Sequence, residues 1–198
     1  NQIAKVTVAS LPNASTVSRP SVTGGLTINA DEIEIGGDVA TTGTQNYSGA
    51  VTLTTDVVLD GTDVTFSSTL DAVSDGAASL AVNTSANGVT TFGDTVGGIF
   101  DLSSLTTNAD GSVVLGGSIR TTGDQTYNDE VSLIGNRSLN GSGGTITLGD
   151  LVTNNGNNLS VSARQIDVLG GIDGGGGHVS FTATNSGIHV VEDITTSG

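Results

Sequence analysis

The sequence predicts an all-β chain wound as a β-solenoid, with about three short strands in each coil. Three observations carry this. Apolar residues alternate at period two in short runs, Gly, Asn and Asp punctuate the runs, and one long phrase is written twice. Residues 26–47 read LTINADEIEIGGDVATTGTQNY, and residues 105–127 read LTTNADGSVVLGGSIRTTGDQTY. Tyr47 and Tyr127 stand 80 residues apart, as do Gly36 and Gly116; Leu26 and Leu105 stand 79 apart, so one residue is gained near Asp110-Gly111. A fixed internal period is the mark of a repeat architecture.

Composition narrows the core. Gly is 30 of 198 residues, aromatics are 3%, and Trp and Met are absent. Such a chain cannot pack around large rings, but it can lay Val, Ile and Leu in layers. Clean alternation over many runs argues against disorder. The net charge is −15, with only Lys5, Arg19, Arg120, Arg137 and Arg164 as bases. Phosphate binding needs clustered Lys and Arg, which argues against nucleic acid as a partner. An anionic membrane surface would repel the chain. There is no Cys, so disulfides and thiolate chemistry are excluded. No apolar run approaches the ~20 residues that span a bilayer, so membrane insertion is not expected. No signal peptide is visible at Asn1, so export would require a targeting segment removed or lying outside this stretch.

Taken in order, residues 1–25 form an N-terminal unit. Lys5-Val6-Thr7-Val8-Ala9 reads as a strand, and Pro12 and Pro20 bracket a polar spacer. This unit is expected to be a capping strand, a linker or an assembly arm. Residues 26–198 form the solenoid. Its runs include Ile33-Glu34-Ile35, Val51-Thr52-Leu53, Val64-Thr65-Phe66, Val131-Ser132-Leu133 and Ile166-Asp167-Val168, with turn signals at Asp60-Gly61, Asn87-Gly88, Asn140-Gly141 and Asn155-Gly156. No window has helical spacing. Leading strands at Leu26, Val51, Leu80, Leu105, Val131, Leu159 and Val179 suggest 20–29 residues per coil. On that phase the 80-residue period holds three coils, and Tyr47 and Tyr127 are related by translation along the axis. Seven coils would make a rod of roughly 35 Å. The tail Glu192–Gly198 repeats the Asp38–Gly43 corner, so the stretch is expected to be a piece of a longer protein or a subunit that stacks head to tail.

The phrase T-T-G-x-Q-x-Y-x-x-x-V-x-L, at residues 41–53 and 121–133, and the phrase L-T-x-N-A-D…G-G resemble the repeats of filamentous-haemagglutinin-like exoproteins of Gram-negative bacteria. The similarity covers residues 26–198. It implies a right-handed parallel β-helix, secretion to the cell surface, and a role in adhesion, biofilm or extracellular filaments. No match to the family's N-terminal secretion domain is present.

Candidate chemistry is sparse. Asp31, Glu32 and Glu34 form the densest acidic patch, but its counterparts are Asp110, Ser112 and Val114, so the acidity is not kept between copies. A solvated outer face is the expected reading. A polysaccharide-acting enzyme or a carbohydrate-binding module is the alternative; β-helix lyases and hydrolases use clustered carboxylates with a base. Tyr47 and Tyr127 are expected to anchor corners rather than stack on sugars. His178 and His189 lack a third ligand for a metal. Gly174–Gly177 lacks the calcium nonapeptide and reads as a turn. The T-x-T pairs at Thr52, Thr145 and Thr182 do not recur once per coil, as an ice-binding face would require. No catalytic, cofactor or metal residues are therefore assigned. Expected partners are copies or neighbouring repeats of the same chain, with a host or matrix carbohydrate or protein as receptor.

Overall fold

The computed structural model describes residues 3–9, 21–85, 87–109 and 111–196. The prolines, the spacer between them, Asp110 and Gly198 lie outside the described residues. Among the described residues there is no helix, and every strand pairing is parallel. The strands stack in about eight turns, a β-solenoid. At the spacing of neighbouring strands this is a stack of roughly 38 Å.

Three faces make up the stack. The first holds the strands Ile3–Ala9, Ala30–Gly36, Ala50–Leu53 and Leu70–Ala72, continues through single bridges at Val96, and resumes at Ile119–Thr121. The second holds Val39–Thr41, Val57–Gly61, Leu80–Thr84, Leu105–Thr107 and Gln125–Tyr127. The third is a nine-stranded sheet from Leu26–Ile28 to Ile194–Thr195. In the last turns the first and second faces are joined by strands that run round the corner, such as Arg137–Leu148, with a register shift between Gly141 and Thr145. The expected turns at Asp60-Gly61 and Asn140-Gly141 are thus not turns; all four residues lie in the ladders. The turns at Asn87 and Asn155 are present, each with a positive φ (65° and 54°) that Asn tolerates. The strand Ile3–Ala9 lies on Ala30–Gly36, with Val6 in register with Ile33.

Register fixes the coil length. Ile33 stacks on Val51, 18 residues on, and Leu70 stacks on Val96, 26 residues on. The expected coil phase is therefore corrected. Leu26 and Val131 lie in third-face strands, whereas Leu80 and Leu105 lie on the second face and Val51 on the first. The repeat is out of phase as well. From Val39 to Ile119 the chain passes eleven strand positions, counting the bridge at Val96, which is three and two-thirds turns. Tyr47 therefore sits on the third face, between Ile28 and Phe66, while Tyr127 sits on the second, between Thr107 and Leu148. The two copies are related by a screw, not by a translation.

The core follows from the alternation. Inward residues stack on their equivalents: Val57, Leu80, Leu105, Gln125, Ile146 and Ile166 on the second face, all buried. On the third face the ladder is aromatic. Tyr47 stacks on Phe66 with centroids 5.2 Å apart, and Phe66 on Phe92 at 5.6 Å with rings 2° from parallel. Three of the chain's six aromatic rings stand in this one buried column, which is how a chain so poor in rings still places them in contact.

The doubled phrase is a buried clasp. The Thr41 hydroxyl donates to Gly43 O at 2.6 Å. The Gln45 amide donates to Asp60 O, in the next coil, at 2.8 Å and to Thr41 Oγ1 at 3.3 Å. The Tyr47 hydroxyl donates to Gln45 Oε1 at 2.7 Å. The second copy repeats each bond: Thr121 to Gly123 O, Gln125 to Asn140 O and Thr121 Oγ1, and Tyr127 to Gln125 Oε1 at 2.9 Å. Both glutamines are fully buried, and their polar atoms are satisfied, so the network stabilises where an incomplete one would not. Burial pushes both tyrosine hydroxyls well above the ordinary phenol range.

Candidate functional site

Much of the chain's acidity is used to hold coils together. Asp38, Asp56, Asp63 and Asp124 each stand one residue before a strand. Each accepts a backbone N–H from the next coil: Val58 N to Asp38, Ser79 N to Asp56, Val89 N to Asp63 and Thr145 N to Asp124, all at 2.8–2.9 Å. The Ser79 N–H, with help from its hydroxyl, holds the Asp56 carboxyl below its usual range. That bond strengthens folding above the ordinary Asp pKa and is lost as pH falls through the lowered value. Replacing Asp63 with Ala leaves the part-buried Val89 N–H without its acceptor. A loss of about 1–2 kcal/mol is expected in urea denaturation, together with faster amide exchange at Val89. Unchanged exchange there would show that this staple carries no load.

A second group of acids lies on the first face. Outward-pointing residues of consecutive strands stack there in register, Glu34 beside Thr52 and Thr52 beside Asp71. With Glu32 they line a groove of about 410 Å³. Its floor is small: Ala50, Thr52 and Thr69. Its far wall is a ledge made where the chain leaves the face after Val96. Asp71, itself buried, accepts N–H bonds from Ile99 (2.7 Å) and Phe100 (3.2 Å), and Asp75 accepts one from Asp101 at 2.9 Å. Ala72 N donates to Phe100 O at 3.2 Å and Gly76 N to Asp101 O at 2.8 Å. Arg120 pairs with Asp101 at 3.1 Å beneath the ledge. The backbone of the ledge is therefore tied down, while Ile99 is 76% exposed, Phe100 41% and Val73 51%. Exposed apolar side chains on a fixed backbone are a feature that calls for a partner.

The other sequence candidates are dispersed. Asp31 is exposed beside the groove but does not line it. The repeat counterparts Ser112 and Val114 lie on the third face, so the groove has no second copy. Tyr47 and Tyr127 are in the core and cannot offer a stacking platform. His178 lines a smaller groove of about 290 Å³ with Arg137 and Asn158, while His189 lies in register with Asp167 on the second face. Among the described residues no three His, Cys, Asp or Glu come together as metal ligands. Gly174–Gly177 is a tight turn in which Gly177 N donates to Gly174 O and Gly175 N to Asp173. The T-x-T pairs fall apart too, with Thr52 on the first face and Thr147 on the second. The trace of the ledge in the sequence is an Ile-Phe pair following Gly97-Gly98, outside any alternating run.

Compared with protein-family models, curated proteins and solved structures, the chain finds no match.

Proposed function

We propose that this chain is a structural segment of a secreted bacterial surface or matrix protein, serving as an adhesin shaft or extracellular filament. The observation that carries the reading is how its polar residues are used. Clasps and carboxylate staples join each coil to the next along the stack. Such a design supplies length and stiffness, since each repeat contacts only its neighbours and the stack grows without limit. The resemblance of the doubled phrase to filamentous-haemagglutinin-like repeats supports the same reading, with the surface of a Gram-negative cell as the proposed location.

If copies stack head to tail, Ile188 and Val190, 47% and 42% exposed and in register with the buried Ile166 and Val168, are apolar side chains on which the next copy would rest. Electron micrographs of the purified protein at rising concentration are expected to show rods that lengthen in steps of roughly 38 Å. Compact particles of unchanging size at every concentration would remove the filament form. Failure of antibodies against this stretch to label intact producing cells would remove the surface role.

A further inference from the structure

We propose that the first-face groove is a docking site for an extended peptide segment that carries an aliphatic residue and, about four residues away, a lysine or arginine. The inference is independent of the shaft role. It rests on two unlike walls facing each other across a shallow floor. One wall is apolar: Val73, Ile99 and Phe100 project from a ledge that their own backbone bonds hold in place. A ligand meets these side chains already positioned, so little ordering entropy opposes binding. The other wall is anionic, with Glu32 and Glu34 on the strand Ala30–Gly36. Among the described residues no Lys, Arg or His side chain lines the groove. Lys5 is in register with Glu32, on the side of that strand remote from the ledge. The whole chain is strongly acidic, so a cationic partner is drawn to it and an acidic one is turned away.

Geometry sets the ligand's pattern. From Ala30–Gly36 through Ala50–Leu53 and Leu70–Ala72 to the ledge is three strand spacings. That is roughly 14 Å, or about four residues of extended chain. The strands under the floor are paired on both sides. A ligand therefore cannot join the sheet and must be recognised through side chains. This favours an aliphatic anchor against Phe100 and a long basic side chain reaching the glutamates.

The test uses the intact chain and a dye-labelled probe peptide. The probe has two leucines followed, four residues on, by two lysines, in a Ser/Thr background. Saturable binding by fluorescence anisotropy is expected, weakening as salt rises. The double variant Ile99→Ser/Phe100→Ser is expected to lower affinity at least tenfold with only a small drop in melting temperature, because Ile99 is mostly in solvent and Phe100 is partly so. Glu32→Gln/Glu34→Gln is expected to flatten the salt dependence. Ile134→Ser, an exposed apolar residue beyond the groove, is expected to change nothing. A probe with Leu replaced by Ser, or with Lys replaced by Glu, is expected to lose binding. Equal affinity for wild type and the ledge variant would overturn the proposal, because binding would then be diffuse attraction to an acidic surface. A photo-reactive probe supplies a second readout. Crosslinks concentrated away from residues 73 and 97–100 would overturn it equally.

Discussion

Replacing Phe66 with alanine is expected to cost about 3–5 kcal/mol, the largest loss of any single core truncation in the chain. Phe66 is the middle ring of the column that Tyr47 begins and Phe92 ends, and all three are fully buried. Truncation leaves a cavity with a ring above and a ring below. Neither can close it, because each belongs to a strand locked in register with its neighbours. Two stacking contacts vanish as well, each worth about 0.5–1.5 kcal/mol beyond burial. Phe92→Leu keeps most of its volume and is expected to cost under about 1.5 kcal/mol. Urea denaturation of the two variants beside wild type makes the comparison. A stack of coils is stabilised mainly by nearest neighbours, so the Phe66→Ala curve is expected to broaden or split as the turns on either side of the gap separate. A sharp curve shifted by less than about 1 kcal/mol would mean that the coils slide together to fill the void.

The β-solenoid was legible because alternation states which residues face inward. Ile33 and Ile35, Val51 and Leu53, Val131 and Leu133 were all assignable by period two, and all are buried. Which face each strand occupies was not legible. The clasp of Thr, Gly, Gln and Tyr depends only on a corner and on the coil beyond it, and the solenoid offers similar corners all the way round. The same words therefore serve one corner at Tyr47 and a different one at Tyr127, and a translation inferred from text alone came out a third of a turn wrong. Coil length misled for a related reason. Residues 73–79 and 97–104 detour from the corner between the first and second faces, lengthening those turns without adding a strand to the regular stack.

The change of corner shows in the residues next to the phrase. Two residues after Tyr47 is Gly49, where an added Cβ would run into the carbonyl of Ala30. Two after Tyr127 is Asp129, which is buried and accepts the Gly111 N–H at 2.7 Å. One position demands the smallest residue; its counterpart uses a carboxylate as a bond acceptor. Drift between the copies is thus not loosened selection on a solvated surface alone, because each copy meets different neighbours. The staples could have been read earlier. Asp38, Asp56, Asp63 and Asp124 all stand directly before a strand, where a carboxylate can reach the N–H of the coil above. A search for clustered acids, as a catalytic site would need, passes over single carboxylates placed in this way.

Raising the pH above about 10 is expected to unfold the protein well before backbone chemistry intervenes, and the two tyrosines are the cause. In the unfolded chain each phenol ionises near the ordinary value of about 10. In the folded chain desolvation raises both hydroxyls far above that, so both stay protonated while the phenols of the unfolded chain ionise. The unfolded state therefore binds fewer protons than the native state above pH 10, and stability falls as pH rises. Below pH 10 both states hold the proton and the term vanishes. Each tyrosine contributes a slope of about 1.4 kcal/mol per pH unit, so the pair removes about 5 kcal/mol by pH 12. That matches the whole stability of many domains. Urea midpoints measured from pH 8 to 12 follow the loss, and phenolate absorbance should appear only with unfolding. The double variant Tyr47→Phe/Tyr127→Phe separates this effect from repulsion among the carboxylates. It leaves Gln45 and Gln125 each short of a donor, at a cost of about 1–3 kcal/mol apiece at neutral pH, yet its midpoint is expected to stay nearly flat from pH 10 to 12. Phenolate absorbance rising in wild type before the unfolding transition would show that the hydroxyls meet solvent, and that the clasps open without the coils coming apart.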